Sequence, residues 1–338
     1  MATPDLGYQW TEERLKALER RISSVYGEAA KELQKTIDAY FAQFKQRDAE
    51  MRKLIGSELN GREWTEQDYK QWRLAQIGRG ERFEALRDQV AERMTQANEV
   101  AVGYVNDATP DIYSLNRNYT QYTIEQVHGN VGFTLWDERT VRRLIVEDPD
   151  LMPYYPPEKA IRRGIDLAYG RKQITSTVTS GILQGKSIRG LSDDLQKRIP
   201  TMNRESAIRT ARTAVTGAQN AGRQDTYVAA AKMGIKLRKR WIATKDSRTR
   251  HDHGIADGQI VEIDEPFDVG GYRLMFPGDT SGPGHEIYNC RCSMRTVEKA
   301  GIEAEPRQMR VRDPITGRNV LVNEMSYAEW EEWVKSRG

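Results

Sequence analysis

The stretch that decides the fold reads MNRESAIRTARTAVTGAQNAGRQDTYVAAAKMG and runs from Met202 to Gly234. It is rich in alanine, the strongest helix former, so we predict one long helix that is capped by Asn203 and closed by Gly234. Small side chains recur along it, at Ala207, Ala211, Ala214, Ala218 and Ala221. Because small residues let a neighbouring element approach closely, we predict that this helix is the centre of a domain.

The composition predicts a soluble chain without membrane contact. Hydrophobic residues make up 38% and charged residues 30% of 338 positions, and no apolar run approaches the roughly 18 residues of a membrane span. The 52 basic and 49 acidic side chains leave a formal charge of +3, which does not by itself indicate a nucleic-acid partner. The chain starts with a charged helical pattern and lacks an apolar signal region, so we expect no secretion by the usual route. Its length fits about two domains.

Two long helices are predicted in the first third of the chain. Apolar residues recur at steps of three, four or seven from Ile22 to Leu54, which is typical of an amphipathic helix. The glycines of GSELNG, residues 56–61, end that pattern. A second helical pattern runs from Phe83 to Tyr104.

We predict that the second helix ends at DATP, residues 107–110, because proline breaks helices. A less regular aromatic segment follows, and another helix begins near Thr140. The next segment, EDPDLMPYYPPEKA, carries four prolines and is predicted to be a turn or linker.

The remainder is predicted to be mixed. After two shorter helices joined by LQGKSIRG and the alanine-rich helix, IKLRKRWIATKD alternates as a strand does. Further short strands are predicted at Gln259 to Ile263, Tyr272 to Phe276 and Tyr288 to Thr296. The tail contains a turn, RDPITGRNV, and a final helix that starts at Ser326. The fold class is therefore α+β, with a mostly helical N-terminal arm followed by a compact mixed C-terminal domain with short antiparallel strands.

Both cysteines of the chain, Cys290 and Cys292, lie one residue apart. A disulfide between them would be strained, because residues i and i+2 of an extended segment lie at the edge of what the bond spans. His251, His253 and His285 fall in the same region, and two thiolates with imidazoles suit zinc. We name His251, His253, Cys290 and Cys292 as candidate ligands of a structural zinc ion.

Three other interpretations of this region stay open. The cysteine spacing differs from that of common zinc modules, so the cysteines could be small buried hydrophobes in the core. A cysteine and a histidine could form a nucleophilic pair. Asp246 with Asp252 or Asp257 could hold Mg²⁺ in a nuclease, although turns also require aspartates at such positions.

Basic residues are concentrated in KLRKRW and on the alanine-rich helix. The arginines at positions 204, 209, 212 and 223 could contact phosphates, or could form ion pairs on a solvated helix face. DNA binding is therefore one hypothesis for this part of the chain.

Several motifs occur in a fixed order in the C-terminal block: ARTAVTGAQNAGR, KRWIAT, DSRTRHDHGIADGQIV, DEPF and PGDTSGPGHEIYNCRC. In this order they resemble the phage Mu protein F-like domain of minor head proteins, also called the phage head morphogenesis family, over about Ile182 to Val297. The matching residues are Trp241, Asp246, Arg248, Arg250, His253, Asp257, Gly258, Pro277, Gly278, Asp279, Asn289, Cys290, Arg291 and Cys292. Members often carry proline where this chain has His251, so we assign the motif histidine to His253.

The resemblance implies a non-enzymatic minor capsid protein of a tailed phage or prophage. It implies a location in the capsid interior near the portal vertex, after assembly in the host cytoplasm, and a role in head morphogenesis and DNA packaging or delivery. The portal protein is the expected partner, with the major capsid protein or scaffold and the packaged DNA as further candidates. A metal-dependent nuclease or toxin-type enzyme and a DNA-binding packaging accessory are the alternatives.

We expect three regions on this basis. Residues 1–156 would form the helical region that contacts the portal or capsid, residues 157–300 the Mu F-like domain, and residues 301–338 a tail with a turn and a short helix. Within the domain, Asp246, Arg248 and Arg250 are expected to link turns by ion pairs and hydrogen bonds, with Asn289 holding the start of the final strand.

Overall fold

The computed structural model describes residues 5–59, 61–129, 131–147, 166–298, 308–312, 319–323 and 325–336. The predicted boundaries at 156/157 and 300/301, the proline-rich segment and the turn in RDPITGRNV lie wholly or mostly outside these residues. Within the described ranges, none of the helices has the length and apolar character that a membrane span needs.

The first part of the chain is helical. Its elements in chain order are α1 (Leu6–Ala42), α2 (Lys45–Lys53), the strands β1 (Glu58–Leu59) and β2 (Arg62–Glu63), α3 (Glu66–Ile77), α4 (Glu81–His128) and α5 (Glu138–Glu147).

The second part adds short strands to further helices. It contains α6 (Leu167–Leu183), α7 (Ile188–Asp193), a π-helical turn (Asp194–Arg198), α8 (Ile199–Lys232), β3 (Leu237–Ile242), α9 (His251–Ala256), β4 (Ile260–Glu262), β5 (Phe267–Val269), β6 (Tyr272–Leu274), α10 (Gly284–Ile287), β7 (Ser293–Glu298), β8 (Gln308–Arg312), β9 (Asn319–Asn323) and α11 (Tyr327–Lys335). All strand pairs are antiparallel, and β3 lies between β4 and β7. The predicted α+β class with a helical N-terminal region is confirmed.

The chain forms two compact units. The helical unit comprises Glu19–Tyr104 and Glu158–Ile208, and the mixed unit comprises Met1–Leu18, Val105–Pro157 and Arg209–Gly338. Helices α1, α4 and α8 contribute residues to both.

Apolar side chains at helical spacing build the core of the helical unit. Its fully buried members on α1 and α4 include Ile22, Ala29, Ile37, Val90, Ala91 and Ala97. The Tyr40 hydroxyl donates to the carbonyl of Ile77 (2.6 Å), so the polar end of this buried ring is also satisfied. The predicted amphipathic patterns from Ile22 and from Phe83 are thus confirmed as the buried faces of helices.

Helix α8 is the centre of the mixed unit, as its small residues predict. A Cβ atom placed on Gly222 would lie 2.4 Å from the carbonyl oxygen of Tyr113 on α4. One placed on Gly278 would lie 2.9 Å from the backbone nitrogen of Gly217 on α8. The backbone of α8 is therefore approached closely by two other segments, which only residues without a side chain permit.

Strand β3 alternates as predicted. Leu237, Lys239 and Trp241 are buried, while the residues between them are half-buried. The end of α8 also agrees with the prediction: Gly234 has φ +88°, and the amide of Ile235 donates to the carbonyl of Ala230 (3.1 Å).

The main errors in the prediction concern helix boundaries that were assigned from single residues. The predicted end of α4 at Pro110 is wrong, because the helix continues to His128 with Pro110 inside it. Burial of Ile112 and Tyr113 on the following turn outweighs the hydrogen bond that proline removes. The Asn203 cap is also wrong: α8 starts at Ile199, and the Asn203 side chain donates to the Ile199 carbonyl (2.9 Å).

Other boundaries differ as well. The first helical pattern is interrupted between α1 and α2, and α3 and β5 were not predicted. The strand predicted from Tyr288 begins only at Ser293, so both cysteines precede it. The final helix follows Ser326 as predicted, with the Ser326 hydroxyl accepting from the amide of Glu329 (3.3 Å).

Candidate metal centre

His253 is held in the core by the one-and-a-half-turn helix α9. Its side chain is buried, and its ring meets the Trp241 ring edge-on with centroids 5.7 Å apart. On the N-terminal side of α9, the Arg250 guanidinium donates to the carbonyls of Glu286 (3.5 Å) and Tyr288. These contacts tie the helix to the loop that carries the cysteines.

The cysteine loop follows α10 and turns sharply at Asn289. Within the described ranges this is the only residue other than glycine with a positive φ, at 57°. Asparagine tolerates that left-handed conformation better than most residues. The Asn289 amide donates to the Thr213 hydroxyl on α8 (2.9 Å), so the turn is fixed to the central helix.

Helix α8 also holds the two cysteine backbones. The Thr216 hydroxyl donates to the Cys290 carbonyl (2.7 Å), and the Asn220 amide group donates to the Cys292 carbonyl (3.1 Å). Thr216 and Asn220 are four residues apart and therefore share one face of the helix. Because these side chains satisfy backbone carbonyls that lie outside helices and strands, the loop can be buried.

The cluster consists of one imidazole and two free thiols. His253 Nδ1 lies 3.3 Å from Cys292 Sγ and 3.7 Å from Cys290 Sγ. The other ring nitrogen, Nε2, lies 3.0 Å from Glu286 Oε2. All four residues are at most 4% exposed.

The side chains of the cluster perturb one another's pKa values. The contact with the Cys290 thiol lowers the pKa of Cys292 to about 5, and His253 acts in the same direction. That contact, together with burial, raises the pKa of Cys290 well above 9.0. Although burial lowers the pKa of His253, Cys292 and Glu286 raise it overall above 6.5. The cluster thus shifts the pKa values of its two thiols in opposite directions.

His251 and His285 are not part of the cluster. His251 is exposed at the start of α9. The His285 side chain is 62% exposed, with Nε2 3.7 Å from Glu286 Oε1. The structure therefore brings together three of the four candidate zinc ligands and leaves out His251.

Asp246 and Arg250 link separate segments in the structure, whereas Arg248 contacts Asp246 within the same turn. The Arg291 guanidinium donates to Asp246 Oδ1 (2.7 Å), and the Arg248 amide donates to the same oxygen (2.9 Å). Because Arg291 stabilises its charged form, the pKa of Asp246 is lowered well below its usual range. This pair links the segment before α9 to the cysteine loop.

The remaining motif residues fix turns. Asp257 accepts from the Ala243 amide (2.9 Å), and the Gly258 amide donates to the Trp241 carbonyl (2.9 Å) with φ +81° at Gly258. Asp279 accepts from the Met275 amide (2.8 Å). Together these contacts shape the loops around the cluster.

The aspartates do not assemble a magnesium site. In the part of the chain that the structure describes, the only grouping of three or more potential metal ligands is His253, Cys290 and Cys292. Asp257 instead accepts from Lys245 Nζ (2.9 Å), and Asp246 is bound by Arg291. The geometry gives no support to a two-carboxylate nuclease centre.

Sequence reasoning missed Glu286 and the two α8 residues that hold the loop. Glu286 stands beside His285 in a glycine- and proline-rich stretch, and nothing in that pattern marks it as a partner of His253. Thr216 and Asn220 could have been noticed in the sequence, since both are polar residues on a helix face that is otherwise alanine-rich.

Comparison with known proteins agrees with the motif order. The family described as phage Mu protein F like protein matches residues 172–295. The chain is 25% identical over 325 residues to the minor head protein GP7 of Bacillus phage SPP1, covering 94% of this chain and 97% of that protein. The resemblance to the Mu F-like family is therefore confirmed.

Two further proteins match over shorter stretches. The NAD(+)–arginine ADP-ribosyltransferase EFV of Enterococcus faecalis is 32% identical over 138 residues, 40% of this chain and 28% of that protein. The uncharacterized protein YqbB of Bacillus subtilis is 32% identical over 127 residues, 37% of this chain and 41% of that protein. No solved structure matches.

Proposed function

We propose that this chain is a structural minor head protein of a tailed phage or prophage, with a role in head morphogenesis. The observation that carries the proposal is the nearly end-to-end match to a minor head protein, at 94% and 97% coverage of the two chains. The Mu F-like match over residues 172–295 supports it independently through the ordered motifs.

The finer proposal places the protein in the capsid interior, bound to the portal. Long amphipathic helices such as α1 (Leu6–Ala42) and residues 81–111 of α4 have exposed residues that could contact partner helices. A portal is a symmetric ring, so one docking face on this chain would meet several equivalent sites. The major capsid protein or scaffold would be secondary partners.

The mixed unit supports a structural role better than an enzymatic one. Cys290, Cys292 and His253 are 2–3% exposed, whereas the nucleophile of an enzyme is usually open to its substrate. The match to the ADP-ribosyltransferase covers 28% of that protein, and the proposal for this chain takes no activity from it.

A DNA-binding role is less well supported. Two of the basic residues that suggested it are withdrawn from solvent: Arg223 is held by Asp5 (2.8 Å), and Lys239 is fully buried. Phosphate contact requires accessible cations, so the basic cluster does not form one continuous phosphate-binding surface.

The direct test is co-purification with the portal protein that is encoded with this chain. A tagged chain is co-expressed with untagged portal, and native mass spectrometry gives the ratio of the complex. We expect a defined complex with the portal ring. Absence of any complex at low and physiological salt would refute portal binding. A complex with the major capsid protein instead would identify that protein, and not the portal, as the binding partner.

A second experiment addresses the alternatives. The purified chain is incubated with DNA and with Mg²⁺ or Zn²⁺, and binding is measured across salt concentrations. We expect no cleavage and no steeply salt-dependent binding. Cleavage that is lost in the His253→Ala variant would establish the nuclease instead.

A further inference from the structure

We propose that His253, Cys290 and Cys292 bind one Zn²⁺ ion, and that Glu286 positions the histidine for it. The proposal goes beyond the structural role above, because it assigns a metal ligand to the mixed unit. It rests on the convergence of three buried ligand atoms, on the orientation of the imidazole, and on the backbone that presents the two sulfurs.

The two nitrogen–sulfur distances are close to those of a tetrahedral zinc ion. With Zn–S near 2.3 Å and Zn–N near 2.0–2.1 Å, tetrahedral geometry puts nitrogen and sulfur about 3.6 Å apart. His253 Nδ1 lies 3.3 and 3.7 Å from the two sulfurs, and all three atoms lie within 4.8 Å of one another. One ion therefore reaches all three with small adjustments.

Glu286 fixes which nitrogen faces the sulfurs. Its carboxylate, itself 4% exposed, lies 3.0 Å from His253 Nε2. A carboxylate there holds the proton on Nε2 and leaves the lone pair of Nδ1 directed at Cys290 and Cys292. Histidines that bind metals commonly have such a partner on the other ring nitrogen.

The backbone of the loop suits thiolate ligands. The Cys292 amide donates to Cys290 Sγ (3.4 Å), which places a hydrogen-bond donor on one sulfur. Both cysteine carbonyls are held by α8, through Thr216 and Asn220, so the sulfurs are positioned before any ion arrives. Such preorganisation lowers the cost of ordering the site.

Binding would release two protons from the cluster to solvent, so that the ion is held by two thiolates and by the Nδ1 lone pair of a neutral imidazole. Within the described residues these three are the protein ligands, and one further ligand, such as a water molecule, would complete the tetrahedron. The ion would link α9 to the loop before β7 and so tie the mixed unit together.

The first test measures metal in the natural chain. The protein is produced in zinc-supplemented medium, desalted, and analysed by inductively coupled plasma mass spectrometry. About one zinc per chain is expected, together with a thiolate-to-cobalt charge-transfer band after exchange with Co²⁺. Less than about a tenth of an equivalent with no cobalt band would overturn the proposal and leave a thiol–imidazole hydrogen bond.

Variants then assign the ligands. Cys292→Ser is expected to lose the zinc and the cobalt band, whereas His251→Ala, which alters an exposed histidine on the same short helix, keeps both. Retention of zinc in Cys292→Ser would refute the assignment. Because that variant could unfold, circular dichroism is recorded, and the metal content of the natural chain decides the question on its own.

Glu286→Gln tests the positioning role. The ligands stay intact, so we expect saturation at one zinc per chain but an affinity lower by about 10–100-fold in competition with a chromophoric chelator. An unchanged affinity would show that the carboxylate does not act on the metal through His253.

Discussion

The helical unit and the mixed unit bury different kinds of side chain. The core of the helical unit is mainly aliphatic and aromatic, from Ile22 through Ile37 to Val90, although Arg73 is buried there with Asp48 (2.8 Å). The mixed unit buries the charged or titratable side chains of Arg223, Lys239 and His253, and each of these three has a polar partner. Apolar burial is non-directional, whereas a buried polar group is stable only when its hydrogen bonds are made.

This difference predicts which substitutions reduce the stability of each unit most. A core of aliphatic residues loses stability in proportion to the volume removed. A buried polar network loses it when one partner leaves another unpaired. The following changes separate the two cases, from the largest expected effect to the smallest.

The largest effect is expected from Asp5→Ala in the mixed unit. Asp5 accepts from two nitrogens of Arg223 (2.8 and 3.0 Å), whose side chain is 4% exposed. Although burial raises the pKa of Asp5, Arg223 lowers it overall, as expected of a carboxylate that is charged in the fold. Removal leaves a buried cation unpaired and is expected to cost about 3–5 kcal/mol in urea unfolding.

Asp111→Ala is the matched control, because Asp111 pairs with Arg14 (2.5 Å) at 40% exposure. An exposed pair contributes about 0–1 kcal/mol. Equal losses in the two variants would contradict the claim that burial decides the cost.

The counterpart in the helical unit is Ile37→Ala. Ile37 is fully buried on α1, so truncation leaves a cavity and is expected to cost about 2–5 kcal/mol, while Ile37→Val costs about 0.5–1.5 kcal/mol. The free energy of unfolding from urea titration gives both values. A loss that does not grow with the volume removed would count against an apolar origin of stability here.

Gly222→Ala in the mixed unit and Gly27→Ala in the helical unit compare a tightly packed helix glycine with an unpacked one. The new methyl at position 222 would meet the Tyr113 carbonyl at 2.4 Å, whereas that at 27 has nothing within 4 Å. We expect Gly222→Ala to lower the free energy of unfolding by about 1–3 kcal/mol. Gly27→Ala, in the helix interior, should raise it by about 0.5–1 kcal/mol. If both substitutions raised the free energy of unfolding, as measured by thermal unfolding, α4 and α8 would be able to move apart at position 222 without loss of stability.

Lys239 gives a pH-dependent test of the buried polar network. Burial lowers its pKa from 10.5 to about 8, despite Asp279 and other acidic neighbours. Between these values the unfolded chain binds the proton and the folded chain does not, so stability from this residue rises with pH. Unfolding free energies of the natural chain and Lys239→Met, measured from pH 7 to 10.5, should diverge in favour of the natural chain.

Lys245→Met, at an 80% exposed lysine, controls for the loss of one charge. A difference between the natural chain and Lys239→Met that stays constant or falls with pH would mean that Lys239 is not held away from solvent as its contacts indicate. The amine donates to Gln224 Oε1 (3.2 Å) and to the Met275 carbonyl (2.9 Å).

Much of the fold was predictable because its signals are local. The alternation in β3, the end of α8 near Gly234 and the start of the last helix at Ser326 follow from side-chain period and backbone preference. Pro110 failed as a signal because the breaking effect of one residue is smaller than the gain from burying the next turns of α4.

The candidate site was predictable only in part. Residue types pointed to His253, Cys290 and Cys292, but an alternating strand through both cysteines was wrong, since β7 begins at Ser293. What places the sulfurs is the left-handed turn at Asn289 and the hydrogen bonds from α8.

The sequence by itself determined the helical periods, the small face of α8 and the ordered motifs that relate the chain to the Mu F-like family. Only the tertiary structure decided that α4 passes through Pro110, that Arg223 pairs with Asp5, and that His253 faces both sulfurs while His251 does not. The physical reason is separation along the chain: periods and turns depend on neighbours a few residues away. The pairing of buried polar groups depends instead on residues tens to hundreds of positions apart, which only packing brings together.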